Sequence, residues 1–310
     1  MNLEKTSQKI GLKEIDIINV LFLIKEKSPT LSELVKITNL SHGLVKRIVL
    51  QLRPYIPYTK SSLSRLTLNN KGSNLIKSSQ REGAKTDYEE LFNFITLSKN
   101  LLPKPKREYD QFYAESETVL NRVKKFVCEK DIQDRNIVFL GDDDLVSLAA
   151  AYTNLAKEVL VLEIDKDIIE IINTVSKKKG LHVKTYLWDL KKAIPNEYLH
   201  KYDTVFTDPP YTEDGFDLFL RRSLEITKDS MLSSHYICYG TSSLSKERSL
   251  KIQKIIDFYN LFLREKLSRF NKYINGAETV GNASDLYILE KTPQTKLGKS
   301  KPITKLYTWE

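Results

Sequence analysis

Residues 11–27 (GLKEIDIINVLFLIKEK) place apolar side chains at helical spacing, and the pattern predicts an amphipathic helix. Thr30 followed by Glu33 is a capping-box start, so a second helix is expected over residues 30–38. A turn at Asn39 and Leu40 leads to Ser41 as N-cap of a third helix, SHGLVKRIVLQL, which must stop before Pro54. Three short helices at this spacing make a helix-turn-helix. Residues 55–68 (YIPYTKSSLSRLTL) then alternate polar and apolar around a Ser-rich turn, and NNKGSNLIKSS resumes as a helix. Residues 1–85 therefore read as a winged helix with a hairpin wing. Residues 86–110 hold one further helix and a Pro/Lys connector, PKPK, that marks a boundary.

Beyond the connector the period changes. A helix is predicted over 114–130, followed by NIVFLG (136–141), a helix from about 144 to 156, EVLVLEID (158–165), a helix over 167–179, HVKTYLWD (182–189) and YDTVFTDPP (202–210). Short apolar strands alternating with helices predict an α/β unit over residues 111–290, with a doubly wound, mostly parallel sheet of Rossmann type. Ligands of such sheets sit outside the carboxyl ends of the strands. That rule selects Gly141–Asp144, Glu163–Asp165, Trp188–Asp189 and Asp208–Tyr211.

Composition changes this picture in one respect. The 310 residues suit two domains, and the 41% hydrophobic and 29% charged fractions are those of a globular protein. A net charge of +9 and a pI near 9.2 suggest a polyanionic partner. The charge is unevenly placed, however: +8 over residues 1–135, −3 over 136–290 and +4 over the tail 291–310. The predicted catalytic sheet is thus slightly acidic. Cys128 and Cys238 stand apart, in no CxxC or Cys/His cluster, which argues against a disulfide framework or a metal site. The start has no apolar signal core, and the apolar run near Ile17–Ile24 is too short to span a bilayer, so a cytoplasmic protein is expected.

The first strand carries the sharpest signal. Dinucleotide and P-loop sites place GxGxxG or GK[ST] there so that backbone can approach phosphate. Here Gly141 is followed by Asp142, Asp143 and Asp144, which would repel phosphate and attract a cationic cofactor such as an amine-bearing sulfonium, or a polyamine. One of the three, Asp142 or Asp144, is expected to cap the next helix. Glu163, closing the second strand, suits ribose hydroxyls, and Asp189, closing the third, suits an adenine amino group. After the fourth strand, Asp208-Pro209-Pro210-Tyr211 is the kind of stiff turn that positions an amine nucleophile. Glu213, Asp214 and Asp217 read as acids complementing a helix N-terminus, with an extended negative field as the other reading.

The runs DQFY (110–113), ETVLNRV, FLGDDDLVSLA, VLEID, TDPPYT and RFNKYINGAE resemble the branched-chain polyamine synthases, or bis(aminopropyl)spermidine synthases, over roughly residues 107–290. The resemblance implies a winged-helix-like N-terminal domain and a methyltransferase-like catalytic domain. It implies transfer of aminopropyl groups from decarboxylated S-adenosylmethionine to an amine of spermidine or a related polyamine, with methylthioadenosine released and no tightly bound cofactor. Asp143 would then be the acceptor-facing catalytic carboxylate, assisted by Asp208. Gln111, Gly141, Asp142, Glu163, Ile164, Asp189 and Leu190 would hold the donor. Asp110, Asp144, Pro209, Pro210, Tyr211 and Asn271 would face the acceptor. Tyr211 departs from the family pattern, where a carboxylate is expected, and brings the turn closer to the DPPY of amino-methyltransferases. A homodimer is the expected assembly.

Two other readings stay open on the sequence. DPPY with a basic helix-turn-helix, +6 over residues 1–90, suggests an S-adenosylmethionine-dependent methyltransferase acting on an amine of nucleic acid. Three aspartates after the first strand would repel the methionine carboxylate of that donor, which disfavours it. The third reading is a winged-helix regulator with a ligand-sensing domain. It predicts salt-dependent DNA binding through Lys46 and Arg47, without turnover.

Overall fold

The computed structural model describes residues 3–57, 64–79, 86–240, 246–277, 281–298 and 302–308. The chain divides into two compact units, Met1–Lys85 and Thr86–Glu310.

The first unit contains α1 (Leu3–Ile10), α2 (Glu14–Lys27), α3 (Leu31–Thr38), α4 (His42–Gln51) and α5 (Asn70–Ser79). The capping box forms as the sequence predicts: Glu33 N–H donates to Thr30 Oγ1 at 3.2 Å, and Thr30 N–H donates to Glu33 Oε2 at 2.8 Å. Ser41 Oγ accepts from Leu44 N–H at 3.3 Å and starts α4. Ile17, Leu21, Ile24, Leu34, Ile48 and Leu52 lose all solvent contact in one core, which explains their 3.6-residue spacing. The tip of the expected wing, residues 58–63, lies outside the described residues. Its described flank, 64–69, forms no strand: Leu66 N–H is taken by Pro29 O at 2.8 Å and Asn69 N–H by Tyr55 O at 3.0 Å, so these donors serve loop ends instead of a ladder.

The second unit begins with α6 (Tyr88–Lys99), capped by Asp87, and a one-turn 3₁₀ helix at Arg107–Tyr109. There follow α7 (Ser116–Cys128), β1 (Asn136–Leu140), α8 (Val146–Tyr152), β2 (Glu158–Glu163), α9 (Lys166–Lys179), β3 (Val183–Leu187) and β4 (Thr204–Thr207). The chain continues with α10 (Glu213–Ile226), β5 (Ser234–Tyr239), α11 (Lys246–Phe258), β6 (Phe262–Ala277) and β7 (Gly281–Glu290). The seven strands form one sheet in the order β3-β2-β1-β4-β5-β7-β6. The first five of these neighbours run parallel, whereas β7 is antiparallel to both β5 and β6. Alternate strand residues serve opposite faces. Ile137, Phe139, Val161 and Phe206 join the core under α7, α8 and α9, while Val138, Leu140, Leu160 and Val205 join Leu218 and Ile226 of α10 on the other side. Both faces are covered, so β1, β2 and β4 read as continuous apolar runs.

Strand order reverses between β1 and β4, and the crevice above their carboxyl ends is the place this topology reserves for a ligand. Among the described residues no helix is long and apolar enough to cross a membrane.

Candidate active site

Four strand ends meet at one narrow cleft. It is lined by Gly141 and Asp143 after β1, Glu163 and Ile164 after β2, Asp189 and Leu190 after β3, and Asp208 and Pro210 after β4. Asp110 and Gln111 close it from the loop before α7.

The three consecutive aspartates have separate fates. Gly141 leaves β1 with φ +72°, a left-handed turn that favours glycine, and donates its N–H to Leu162 O at 2.9 Å. Asp142 is 2% exposed, and its carboxylate accepts from Ser147 N–H at 3.1 and 3.3 Å, capping α8. Burial pushes its pKa well up, against the pull of those bonds. Asp144 is also 2% exposed and is pinned from three sides: Lys99 Nζ at 3.1 Å, Ala114 N–H at 2.6 Å and Arg122 Nη1 at 2.7 Å. Burial would raise its pKa, but Lys99 and Arg122 overcome this and hold it below the ordinary carboxylate value. Asp143, half-buried between them, lines the cleft, and among the described residues no hydrogen bond or ion pair reaches its carboxylate. Burial, then repulsion from Asp144, Asp208 and Glu163, pushes its pKa well up, with only Lys99 opposing.

Asp208 is held equally firmly but keeps its edge to the cleft. Its Oδ2 accepts from Arg122 Nη2 and Tyr273 Oη, each at 2.7 Å, and its Oδ1 accepts from Tyr211 Oη at 3.0 Å. The Tyr211 and Tyr273 phenols are 2.5 Å apart, and Ser284 Oγ lies 2.7 Å from the Tyr273 phenol. Gly215, in the first turn of α10, lets the chain fold tightly behind this turn, since a Cβ there would stand 2.4 Å from Pro210 O.

On the other side of the cleft, Glu163 accepts backbone N–H groups from Asp142 and Asp165, both at 2.8 Å. Ile164 N–H also acts on it, and a carboxylate, with about four lone pairs, keeps capacity for a hydroxyl donor. Its pKa is raised by burial against those backbone bonds. Asp189 Oδ1 accepts from Lys191 N–H at 2.8 Å, beside the partly buried Trp188. Gln111 is held at both ends, donating to Asp165 at 2.8 Å and accepting from Lys106 N–H at 2.9 Å.

The structure places several of the expected site residues away from the cleft lining. Asp142, Asp144, Asn271 and Pro209 do not line the cleft: the first two are engaged in a helix cap and in ion pairs, Asn271 is 0% exposed between Arg122 and Ser284, and Pro209 is buried. Tyr211 presents its phenol to Asp208, and its ring stacks on Phe112 at 6.3 Å. Glu213, Asp214 and Asp217 add nothing to the cleft, being engaged by Lys251, Thr304 and Tyr259. Helix α8 starts two residues later than expected because Leu145 adopts φ +58° to bring Ser147 onto Asp142.

Sequence reasoning missed Arg122, Lys99 and Tyr273, and left the role of the tail open. Arg122 had a signal: it stands on the apolar stripe of α7 with Val119 and Phe126, where a cation is out of place unless it is paired. The tail had none beyond its charge. Residues 302–308 run back to the cleft, where Leu306 O accepts from Thr212 Oγ1 at 2.7 Å and Thr308 N–H donates to Asp110 Oδ2 at 2.7 Å. Leu306 and Tyr307 form part of the cleft wall, and Lys191 Nζ lies 5.2 Å from the Tyr307 ring centroid.

A doubly wound sheet of this order, with a ligand cleft over the β1–β4 switch point and acids on all four strand ends, defines a methyltransferase-like α/β protein. Comparison with known proteins narrows the class. A family model described as the branched-chain polyamine synthase A C-terminal domain matches residues 89–306. An uncharacterized protein of Methanocaldococcus jannaschii is 32% identical over 222 residues, 71% of this chain and 55% of that protein. N(4)-bis(aminopropyl)spermidine synthases of M. jannaschii and Thermococcus kodakarensis are 32% and 30% identical, over 67% and 60% of this chain and 60% and 52% of their own length. The chain thus spans about half the length of the curated relatives it matches. The crystal structure of the Thermus thermophilus branched-chain polyamine synthase, in complex with N4-aminopropylspermidine and 5'-methylthioadenosine, shares the fold at TM-score 0.64 and 22% identity, covering 98% of this chain and 95% of that one. The chain belongs to the branched-chain polyamine synthase family.

Proposed function

We propose that this chain is a polyamine aminopropyltransferase that moves an aminopropyl group from decarboxylated S-adenosylmethionine to an amine of spermidine or a related polyamine. The observation that carries this reading is Asp143, a carboxylate at the switch point with no partner among the described residues, next to two carboxylates that are held. Family membership supports it, as do the polyamine product and methylthioadenosine bound by the Thermus thermophilus relative.

The donor's nucleoside would lie across Glu163, Ile164, Asp189 and Leu190, with Glu163 accepting from the ribose diol. A donor without a carboxylate brings an ammonium and a sulfonium to this acidic wall, which suits both. The acceptor nitrogen attacks the propyl carbon next to sulfur. The N–C bond forms, the C–S bond breaks with its electron pair going to sulfur, and methylthioadenosine leaves as a neutral thioether. Asp143 takes the proton that the nitrogen sheds, for which a carboxylate of raised pKa is the better base. Asp208, fixed by three donors, accepts an N–H hydrogen bond from the same nitrogen and so orients its lone pair. The neighbouring acids attract the remaining ammonium groups of the chain.

Incubation with spermidine and either the decarboxylated or the intact donor, followed by product masses, tests this reading. An added aminopropyl unit is expected with the decarboxylated donor alone. Methyl transfer from the intact donor would favour the amino-methyltransferase instead. The capped helix trio of the N-terminal unit is compatible with a winged helix, and specific retention of DNA without turnover would favour the regulator.

A further inference from the structure

Arg122 is a cation sealed in the floor of a cleft that we read as built for polycations. Its side chain is 0% exposed, and all of its nitrogens are committed: Nε to Asn271 Oδ1 at 2.8 Å, Nη1 to Asp144 Oδ2 at 2.7 Å and Nη2 to Asp208 Oδ2 at 2.7 Å. Its guanidinium lies 4.9 Å from the Phe206 ring centroid. One planar fork thereby ties the turn after β1, the turn after β4 and strand β6 together across the switch point. A buried guanidinium is costly unless it is fully paired, and here the pairing takes Asp144 and Asp208 and leaves Asp143, which lines the cleft.

We propose that Arg122 is the positioning residue of the aminopropyl transfer, dividing the carboxylates into two fixed acceptors, Asp144 and Asp208, and one base, Asp143. The proposal rests on the transferase reading above. Arg122 touches neither donor nor acceptor and acts through the two aspartates. Lys99 completes the division by taking the second oxygen of Asp144 at 3.1 Å. The groups acting on Asp143 are Asp144 from its own loop, Glu163 at the end of β2, Asp208 after β4, Lys99 from α6 and Tyr113 from the loop before α7. Cys238 of β5, Tyr273 of β6 and Tyr211 complete the surroundings of Arg122 and Asp208. Of these, Arg122 and Lys99 are the cations. Removing Arg122 frees Asp144 and Asp208 to repel Asp143, so Asp143 keeps its proton to higher pH.

Two variants test this in the full-length protein, with spermidine and decarboxylated donor. Arg122→Lys keeps the charge but cannot span three acceptors, and is expected to lower kcat about 100-fold while KM for the donor changes less than about threefold. A single ammonium reaches only one of the two aspartates, so the other repels Asp143 and the acid limb of the kcat profile is expected to move to higher pH. Should Arg122→Lys fail to fold, Arg122→Met combined with Asp144→Asn removes a cation and an anion together and keeps the floor neutral. That double variant is expected to bind methylthioadenosine like the parent and still turn over about 100-fold more slowly, because Asp208 has lost its clamp. Turnover within threefold of the parent and an unmoved acid limb, in whichever variant folds, would overturn the proposal. Absence of aminopropyl transfer by the parent protein would instead sink the transferase reading.

Discussion

Asp143 is placed where stability and chemistry pull in opposite directions. Its carboxylate has no partner among the described residues, and burial with three neighbouring anions raises its pKa. An acid whose folded pKa is raised binds its proton more tightly in the folded state, so it adds stability as pH falls through that raised value and subtracts it at neutral pH. Asp143→Asn is therefore expected to raise Tm at pH 7 while cutting turnover by about 10²–10⁴, the usual worth of a positioned base. Calorimetry and a single-turnover assay check the pair, and a variant both less stable and fully active would contradict it. Asp144 is the opposite case: its pKa is lowered, so its stabilisation is present above the unfolded carboxylate range and lost as pH falls through the depressed value. The sequence exposed the GDDD run as a cluster of charge and foresaw that one aspartate would cap a helix; only the family resemblance singled out Asp143, and no residue pattern showed what holds Asp144 apart from it. That division depends on Lys99 and Arg122, which lie 45 and 22 residues away in the chain.

At the scale of elements, β1 to β4 were legible in the sequence and β5 to β7 were not. NIVFL and EVLVLE are apolar throughout because helices pack on either side of β1 and β2. Strand β6 was not legible. It is an edge strand, FLREKLSRFNKYINGA, with charge scattered along it, and Arg269 at φ +54° breaks its alternation where Arg269 N–H turns to Asp285 at 2.8 Å. The DPPY turn was read as stiff, which it is, but its stiffness comes as much from α10 as from proline. An Ala for a helical Gly is ordinarily favourable by up to about 1 kcal/mol. At Gly215 the sign is expected to reverse, because the new Cβ meets Pro210 O at 2.4 Å and must push the turn that carries Asp208. Gly215→Ala should lower both Tm and kcat; an unchanged kcat would show that the turn has slack.

Across the whole molecule, the charge of +9 is the sum of two basic ends and a slightly acidic middle segment that carries most of the cleft's carboxylates, and segment counting in the sequence already separated the two. What it could not supply was the return of the basic tail. Leu306 is 2% exposed in the core under α10, and Tyr307 stands in the cleft wall. A chain ending at Gly298 is expected to bind methylthioadenosine roughly tenfold more weakly, a loss of about 1.4 kcal/mol, as titration calorimetry would register. Unaltered affinity would place the tail outside the donor site.

The most direct measurement is the product mass after a single turnover with spermidine and decarboxylated S-adenosylmethionine, run on the parent protein and on Asp143→Asn. The predicted result is an aminopropyl adduct and methylthioadenosine from the parent, and neither from Asp143→Asn at the same time point. A methylated product from the intact donor, or equal aminopropyl transfer by both proteins, would contradict the assignment of Asp143 as the base of a polyamine aminopropyltransferase.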